Sequence, residues 1–220
     1  MTFDELVARA RAMAAGPRRA LLGIAGAPGA GKSTLVAALL DALRADPPVV
    51  AHVPMDGFHL ADAALERLGR RDRKGAPDTF DAGGYRALLR RLRADDPADD
   101  PLWAPGFERE LEQPLAGLLA VPAAARLVLT EGNYLLLDGP WAGVRELLDE
   151  VWFCAPAEEV RLARLTARHV AFGKSPAAAA AWVAAVDGPN ATLVAPGRER
   201  ADIVVSAEVL DALPPAGPPG

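Results

Sequence analysis

The sequence predicts an α/β fold: a five-stranded parallel sheet with helices on both faces. Two observations carry this. Residues 20–35 run from a short apolar strand through a glycine-rich turn into the opening of a helix, and four further apolar runs alternate with helical stretches down the chain. Within the first stretch, Gly26-x-x-x-x-Gly31-Lys32-Ser33 is a complete P-loop. The fold is therefore expected to be that of a P-loop NTPase, with a small lid.

The P-loop reading rests on chemistry. Glycines let backbone N–H groups turn inward around phosphate oxygens, and the helix that follows points its positive end at the same anion. Gly26, Ala27, Pro28, Gly29, Ala30, Gly31, Lys32, Ser33 and Thr34 form the expected nucleotide cradle. Lys32 can reach the β- and γ-phosphates, and the Ser33 hydroxyl can ligate Mg²⁺. ATP and Mg²⁺ are the expected cofactors.

Composition narrows the partners. The 220 residues suit one α/β domain over 1–212, followed by a disordered tail over 213–220. Apolar residues make up 51% and charged residues 24%, and the net charge of −5 argues against a nucleic-acid partner. Cys154 is the sole cysteine, which excludes an internal disulfide and fits a reducing cytoplasm. The N-terminus lacks a basic-then-apolar leader profile, and no apolar run suits a membrane span, so a cytoplasmic, membrane-free chain is expected. The oligomeric state is open, a homodimer included.

The elements follow in order. Residues 2–14 read as an amphipathic helix, with Thr2 and Glu5 as a capping box and Phe3, Leu6, Val7, Ala10 and Met13 on one face. Gly16-Pro17 ends it, and the P-loop helix should run from Lys32 to Arg44 before Pro47-Pro48. Val49–Val53 reads as a buried parallel strand, ending in Pro54-Met-Asp-Gly-Phe-His-Leu60. Functional groups gather at the carboxyl ends of such strands. Asp56 sits at one, as a candidate general base for an acceptor hydroxyl or as a turn residue before Gly57. His59 either lines the cleft or is merely exposed.

Residues 61–85 are polar and turn-rich, and Arg70, Arg71, Arg73 and Lys74 form either a loop that reads an anionic substrate group or a solvated charge run. A helix is expected over 84–92, a proline-broken acidic surface loop over 94–101, and no clear periodicity over 103–110. Arg126–Glu131 is the third strand, with Glu131 in a Walker-B-like place where Asp is usual. Asp149–Cys154 and Ala201–Ser206 are the fourth and fifth. Between them Arg161, Arg164 and Arg168 recur at helical spacing in a lid region of about 158–175, either as transition-state cations or as partners of Glu158 and Glu159. Ser175-Pro176 opens an alanine-rich helix that Asp187-Gly-Pro-Asn190 should end near Val186. Asn190 is a candidate for the adenine pocket.

The P-loop, Pro54–Leu60, Arg73–Asp81, Glu131-Gly-Asn-Tyr-Leu-Leu-Leu-Asp138 and Arg164-Leu-Thr-Ala-Arg-His169 together resemble the uridine kinase, phosphoribulokinase and type I pantothenate kinase superfamily. The nearest likeness is to bacterial proteins of the nucleoside/nucleotide kinase-like or fructose-transport-system kinase kind. The resemblance spans roughly residues 20–206. It implies that Asp56 is the catalytic base, that Lys32, Arg164 and Arg168 stabilise the transferring phosphoryl group, and that Ser33 and Glu131 position the metal. It further implies acceptor contacts from Phe80, Asp81 and Arg109, beside His59, Arg73, Glu131 and Asn133. The expected activity is transfer of the ATP γ-phosphate to a hydroxyl of a small metabolite: a nucleoside, a sugar or a pantothenate-like molecule. The alternatives are a nucleotide-binding regulator or ATPase accessory protein without a metabolite acceptor, and a nucleoside-monophosphate kinase. No Asn-Lys-x-Asp guanine-reading motif is present.

Overall fold

The computed structural model describes residues 1–44, 49–94, 96 and 100–214. Its centre is a five-stranded sheet of β1 (Ala20–Ala25), β2 (Val49–His52), β5 (Ala125–Gly132), β6 (Glu150–Ala155) and β7 (Ile203–Ser206). The strand order is β2-β5-β1-β6-β7, and all four pairings are parallel. Each predicted strand is present within three residues of its expected ends.

Side chains alternate across the sheet, so each strand feeds two cores. Leu21, Val128 and Val151 face a layer built on α4 (Ala82–Ala94), where Tyr85, Leu88, Leu89 and Leu92 are buried. Leu22, Ile24, Leu127, Leu129 and Trp152 face the opposite layer of α1 (Phe3–Ala14) and α2 (Lys32–Leu43). Burial of each such side chain contributes about 1.5–3 kcal/mol. The α1 capping box is formed: the Thr2 hydroxyl accepts from the Glu5 amide, and the Glu5 carboxylate accepts from the Thr2 amide.

Three segments depart from expectation. Residues without clear periodicity form an antiparallel hairpin of β3 (Leu102–Glu108) and β4 (Gln113–Val121). Its register slips between Ala104 and Gly106, so the two-residue alternation that marks a strand is interrupted where Pro105 falls. A short helix α3 (Asp62–Arg67) lies inside the polar stretch after β2. The alanine-rich helix α6 (Pro176–Trp182) does not end at Gly188-Pro189. It continues through a π-helical turn, Val183–Asp187, into α7 (Gly188–Val194): the Gly188 N–H reaches back to the Val183 carbonyl, and this wider turn interrupts the regular ladder just where Pro189 has no N–H to give.

The lid helix α5 spans Glu158–Ala171, and a final helix α8 spans Ala207–Ala212. The prolines expected to stop α2, half of the expected acidic loop (95 and 97–99) and the tail residues 215–220 lie outside the described residues. Among the described residues, no helix is long and apolar enough to cross a membrane.

Candidate active site

The P-loop joins β1 to α2, and its backbone explains its glycines. Gly31 precedes α2 at φ 87° without a side-chain cap, which leaves the first helical N–H groups free to face a ligand. Gly29 has φ 77°, and a Cβ there would lie 2.6 Å from Leu165 Cγ on the lid helix. Arg161 is buried at that contact, donating to the Pro28 carbonyl at 3.0 Å and pairing with Glu158. The pairing with Glu158 is the one the intrahelical reading of the arginine stripe expected; the burial of Arg161 and its bond to the P-loop are not.

Lys32 Nζ donates to the carbonyls of Gly26 (3.1 Å) and Ala27 (3.0 Å) and to Asn133 Oδ1 (2.7 Å). Burial lowers its pKa, opposed by the charge of Glu131. Ser33 Oγ donates to Glu131 Oε2 at 2.9 Å, bringing together the two residues expected to hold a metal. A hydroxyl and a carboxylate at the foot of a phosphate cradle are the hard oxygen donors that Mg²⁺ takes alongside substrate phosphates, so the residues present fit that ion. His52, at the end of β2, lies 3.6 Å from Glu131 Oε1, a neighbour the sequence did not disclose.

Asp56 lies on a 3₁₀ turn, Met55–Phe58, directly after β2. It lines one cavity of about 850 Å³ with Lys32, Ser33, Glu131, Arg168 and Phe80. Burial raises its pKa, but the charges of Arg109 and Lys32 and the hydrogen bond from Arg109 outweigh that and hold the carboxyl below its usual range. Arg109 Nη2 sits 2.8 Å from Asp56 Oδ2, and the guanidinium stands over the Phe107 ring at 5.0 Å. The hairpin reaches this turn because residue 57 is glycine: a Cβ there would lie 2.2 Å from the Pro105 carbonyl oxygen. The Asp-Gly pair is thus a packing requirement rather than only a turn.

His59 stacks on Phe80 with ring centroids 3.8 Å apart, and burial lowers its pKa to about 4, leaving the imidazole neutral. Arg164 pairs with Asp211 at 3.0 Å and overhangs Gly31. Burial and the charge of Arg109 lower the pKa of Arg168. Its side chain forms no hydrogen bond or ion pair among the described residues.

Two expected acceptor contacts, Arg73 and Asp81, lie outside the cavity, and the adenine-pocket candidate Asn190 lies on its acceptor side. Arg73 points away from the cavity and pairs with Asp78 at 2.6 Å; its neighbour Lys74 lines the cavity instead, held by Asp62 at 2.7 Å. Asp81 caps α4, accepting from the Gly84 amide at 2.8 Å, as short acids before a helix do. Asn190 lies with the acceptor-side loop rather than beside the P-loop, its Nδ2 3.4 Å from the Gly75 carbonyl. Phe107 is a cavity residue that sequence reasoning did not place in the site, whereas Lys74 belongs to the basic cluster offered as an anion-reading loop. Phe107 follows Pro105 and Gly106, where the two-residue alternation breaks, so the sequence carried no strand signal for it.

Known proteins resemble the chain in sequence and in fold. The sequence model of the phosphoribulokinase / uridine kinase family matches residues 21–211. The chain is 35% identical over 179 residues to "Putative uridine kinase C227.14" of Schizosaccharomyces pombe, covering 78% of this chain and 75% of that protein. It is 35% identical over 192 residues to the uncharacterized protein YggC of Escherichia coli, covering 86% and 78%. Among solved structures, a "putative fructose transport system kinase" from Silicibacter superposes with a TM-score of 0.83 at 34% identity, covering 93% of this chain and 99% of that one.

Proposed function

Since the chain belongs to the phosphoribulokinase / uridine kinase family and is an ATP-dependent small-molecule kinase, we propose how its residues carry the transfer and what they transfer to. The acceptor is a hydroxyl of a small metabolite, seated between Asp56 and the Phe80–His59 wall. The acceptor oxygen attacks the γ-phosphorus in line, its proton passes to Asp56 Oδ, and the bond from the γ-phosphorus to the β–γ bridging oxygen breaks to release ADP. One observation carries the reading: a carboxylate at the end of β2 opens onto the same cavity as the P-loop lysine and the Ser33–Glu131 pair.

Lys32 is held by carbonyls that a bound triphosphate would relieve of it, so the ammonium is stationed where phosphate oxygens enter. Arg168, uncommitted on the lid, and Arg164 supply positive charge to the equatorial oxygens, where phosphoryl transfer gains most of its stabilisation. Ser33 and Glu131 would hold Mg²⁺, which neutralises charge on the β- and γ-oxygens when bound.

The test is ADP release with Mg-ATP across a panel of nucleosides, sugars and hydroxy acids, with the phosphorylated product identified by mass. A single acceptor class that stimulates turnover and gains one phosphoryl group supports the reading. A flat panel, with slow hydrolysis alone, favours the accessory-ATPase alternative.

A further inference from the structure

Arg109 follows β3 and turns back across the cavity onto Asp56. The pair is not deeply buried: the two side chains keep 40% and 33% of their surface, and both line the cavity. A carboxylate in this state is engaged. One oxygen accepts a charge-assisted hydrogen bond, and the carboxyl is held below the range at which it would readily take a proton.

What could relieve it depends on the ligand's charge. A neutral hydroxyl offers a guanidinium about half the hydrogen-bond strength that a carboxylate does, so it cannot draw Arg109 away. A carboxylate or phosphate can, because it replaces one charged partner with another and offers the fork two oxygens. The wider cavity does not select for charge: beyond Lys32, Arg109, Arg168, Asp56 and Glu131 its lining carries both acids and bases, and His59 is neutral, so recognition of an anion falls to Arg109 itself. Phe107 holds Arg109 at 5.0 Å and Lys74 at 5.5 Å over its ring, fixing where the guanidinium can turn. Lys74 is committed to Asp62 and the Glu112 carbonyl, whereas the partner of Arg109 is the base itself, so exchange at Arg109 is the one that changes the state of Asp56.

Building on the kinase reading, we infer that the acceptor is a small hydroxylated anion whose carboxylate or phosphate group takes Arg109 from Asp56, freeing that carboxylate to receive the hydroxyl proton. Arg109 is thereby a specificity residue and a latch on the base: acceptors without the anion leave it closed.

The experiment follows the Arg109 guanidinium by ¹⁵N NMR in the full chain with Mg²⁺ and a non-hydrolysable ATP analogue, titrating D-glycerate, glycerol 1-phosphate and glycerol. The expected result is a saturable shift with one or both anions and none with glycerol. A response to glycerate marks a carboxylate acceptor, and a response to glycerol 1-phosphate marks a phosphate ester. By calorimetry, Arg109→Gln should weaken binding of the responding anion about 10- to 100-fold, the loss expected for a charged hydrogen bond, with Arg109→Lys intermediate. A shift as large with glycerol, no shift with either anion at millimolar excess, or unchanged anion affinity in Arg109→Gln overturns the inference. The kinase reading fails separately, by absence of acceptor-stimulated ADP release while Arg109 still responds.

Discussion

Replacing Gly57 with alanine tests how the site is assembled. The added Cβ would lie 2.2 Å from the Pro105 carbonyl oxygen, 2.6 Å from its carbon and 3.0 Å from the Gly106 nitrogen. All three are backbone atoms, so relief requires the β3–β4 hairpin to move off the Asp56 turn by roughly 1 Å to reach ordinary contact. Overpacking of this kind costs about 1–3 kcal/mol, which for a chain of this size is roughly 3–10 °C in Tm. The hairpin carries Arg109 and Phe107, so a displacement near 1 Å at the acceptor side should lower kcat/KM by about 100-fold. The P-loop is built on β1 and α2, so ATP affinity should change little. Thermal unfolding, steady-state turnover and nucleotide binding measured on one preparation check all three. A Gly57→Ala protein with wild-type Tm and turnover would refute the claim that this glycine seats the hairpin.

The remaining predictions concern charge and capping. His59 titrates near 4 folded and near 6.5 unfolded, so between those values the unfolded chain binds more protons and stability falls with falling pH, by about 3 kcal/mol in full. His59→Phe should flatten denaturation midpoints between pH 6.5 and 4, and an unchanged slope would remove the assignment. Asp81→Ala should cost about 1 kcal/mol through loss of the α4 cap while leaving the acceptor KM unchanged; a large rise in KM would return Asp81 to the site. Glu131→Gln should raise the Mg²⁺ concentration needed for half-maximal turnover by about 10-fold or more, read by Mg²⁺ titration, because the carboxylate proposed to hold the ion with Ser33 is lost.

What could be read from the sequence was what local chemistry dictates. The P-loop needs its glycines and lysine at fixed spacing, and Ala20–Ala25 and the Leu127–Leu129 centre of β5 are apolar because both faces of the sheet are covered. Ser33 and Glu131, 98 residues apart, were paired in advance because each had a place in a known kind of site. The hairpin was not legible, since Pro105, Gly106 and Pro114 weaken the strand pattern and its seat at Gly57 is a tertiary contact. Nor was the Arg109–Asp56 bond, which joins residues 53 apart with no motif between them. Arg73 and Lys74 are adjacent and alike in charge. Only the fold decides that Asp78 occupies the first while the second faces the cavity. The path from α6 into α7 turned on whether Gly188-Pro189 ended one helix or began the next, and sequence favours each equally.

The central claim is that Asp56 takes the acceptor proton while the P-loop holds ATP independently of it. The measurement that bears on it most directly is Asp56→Asn, assayed for ADP release with the acceptor found by the panel and for ATP affinity in the same buffer. A loss of about 10²–10⁴-fold in kcat with ATP affinity within about threefold of wild type is the predicted result. Turnover equal to wild type, or a loss matched by failure to bind ATP, would contradict it.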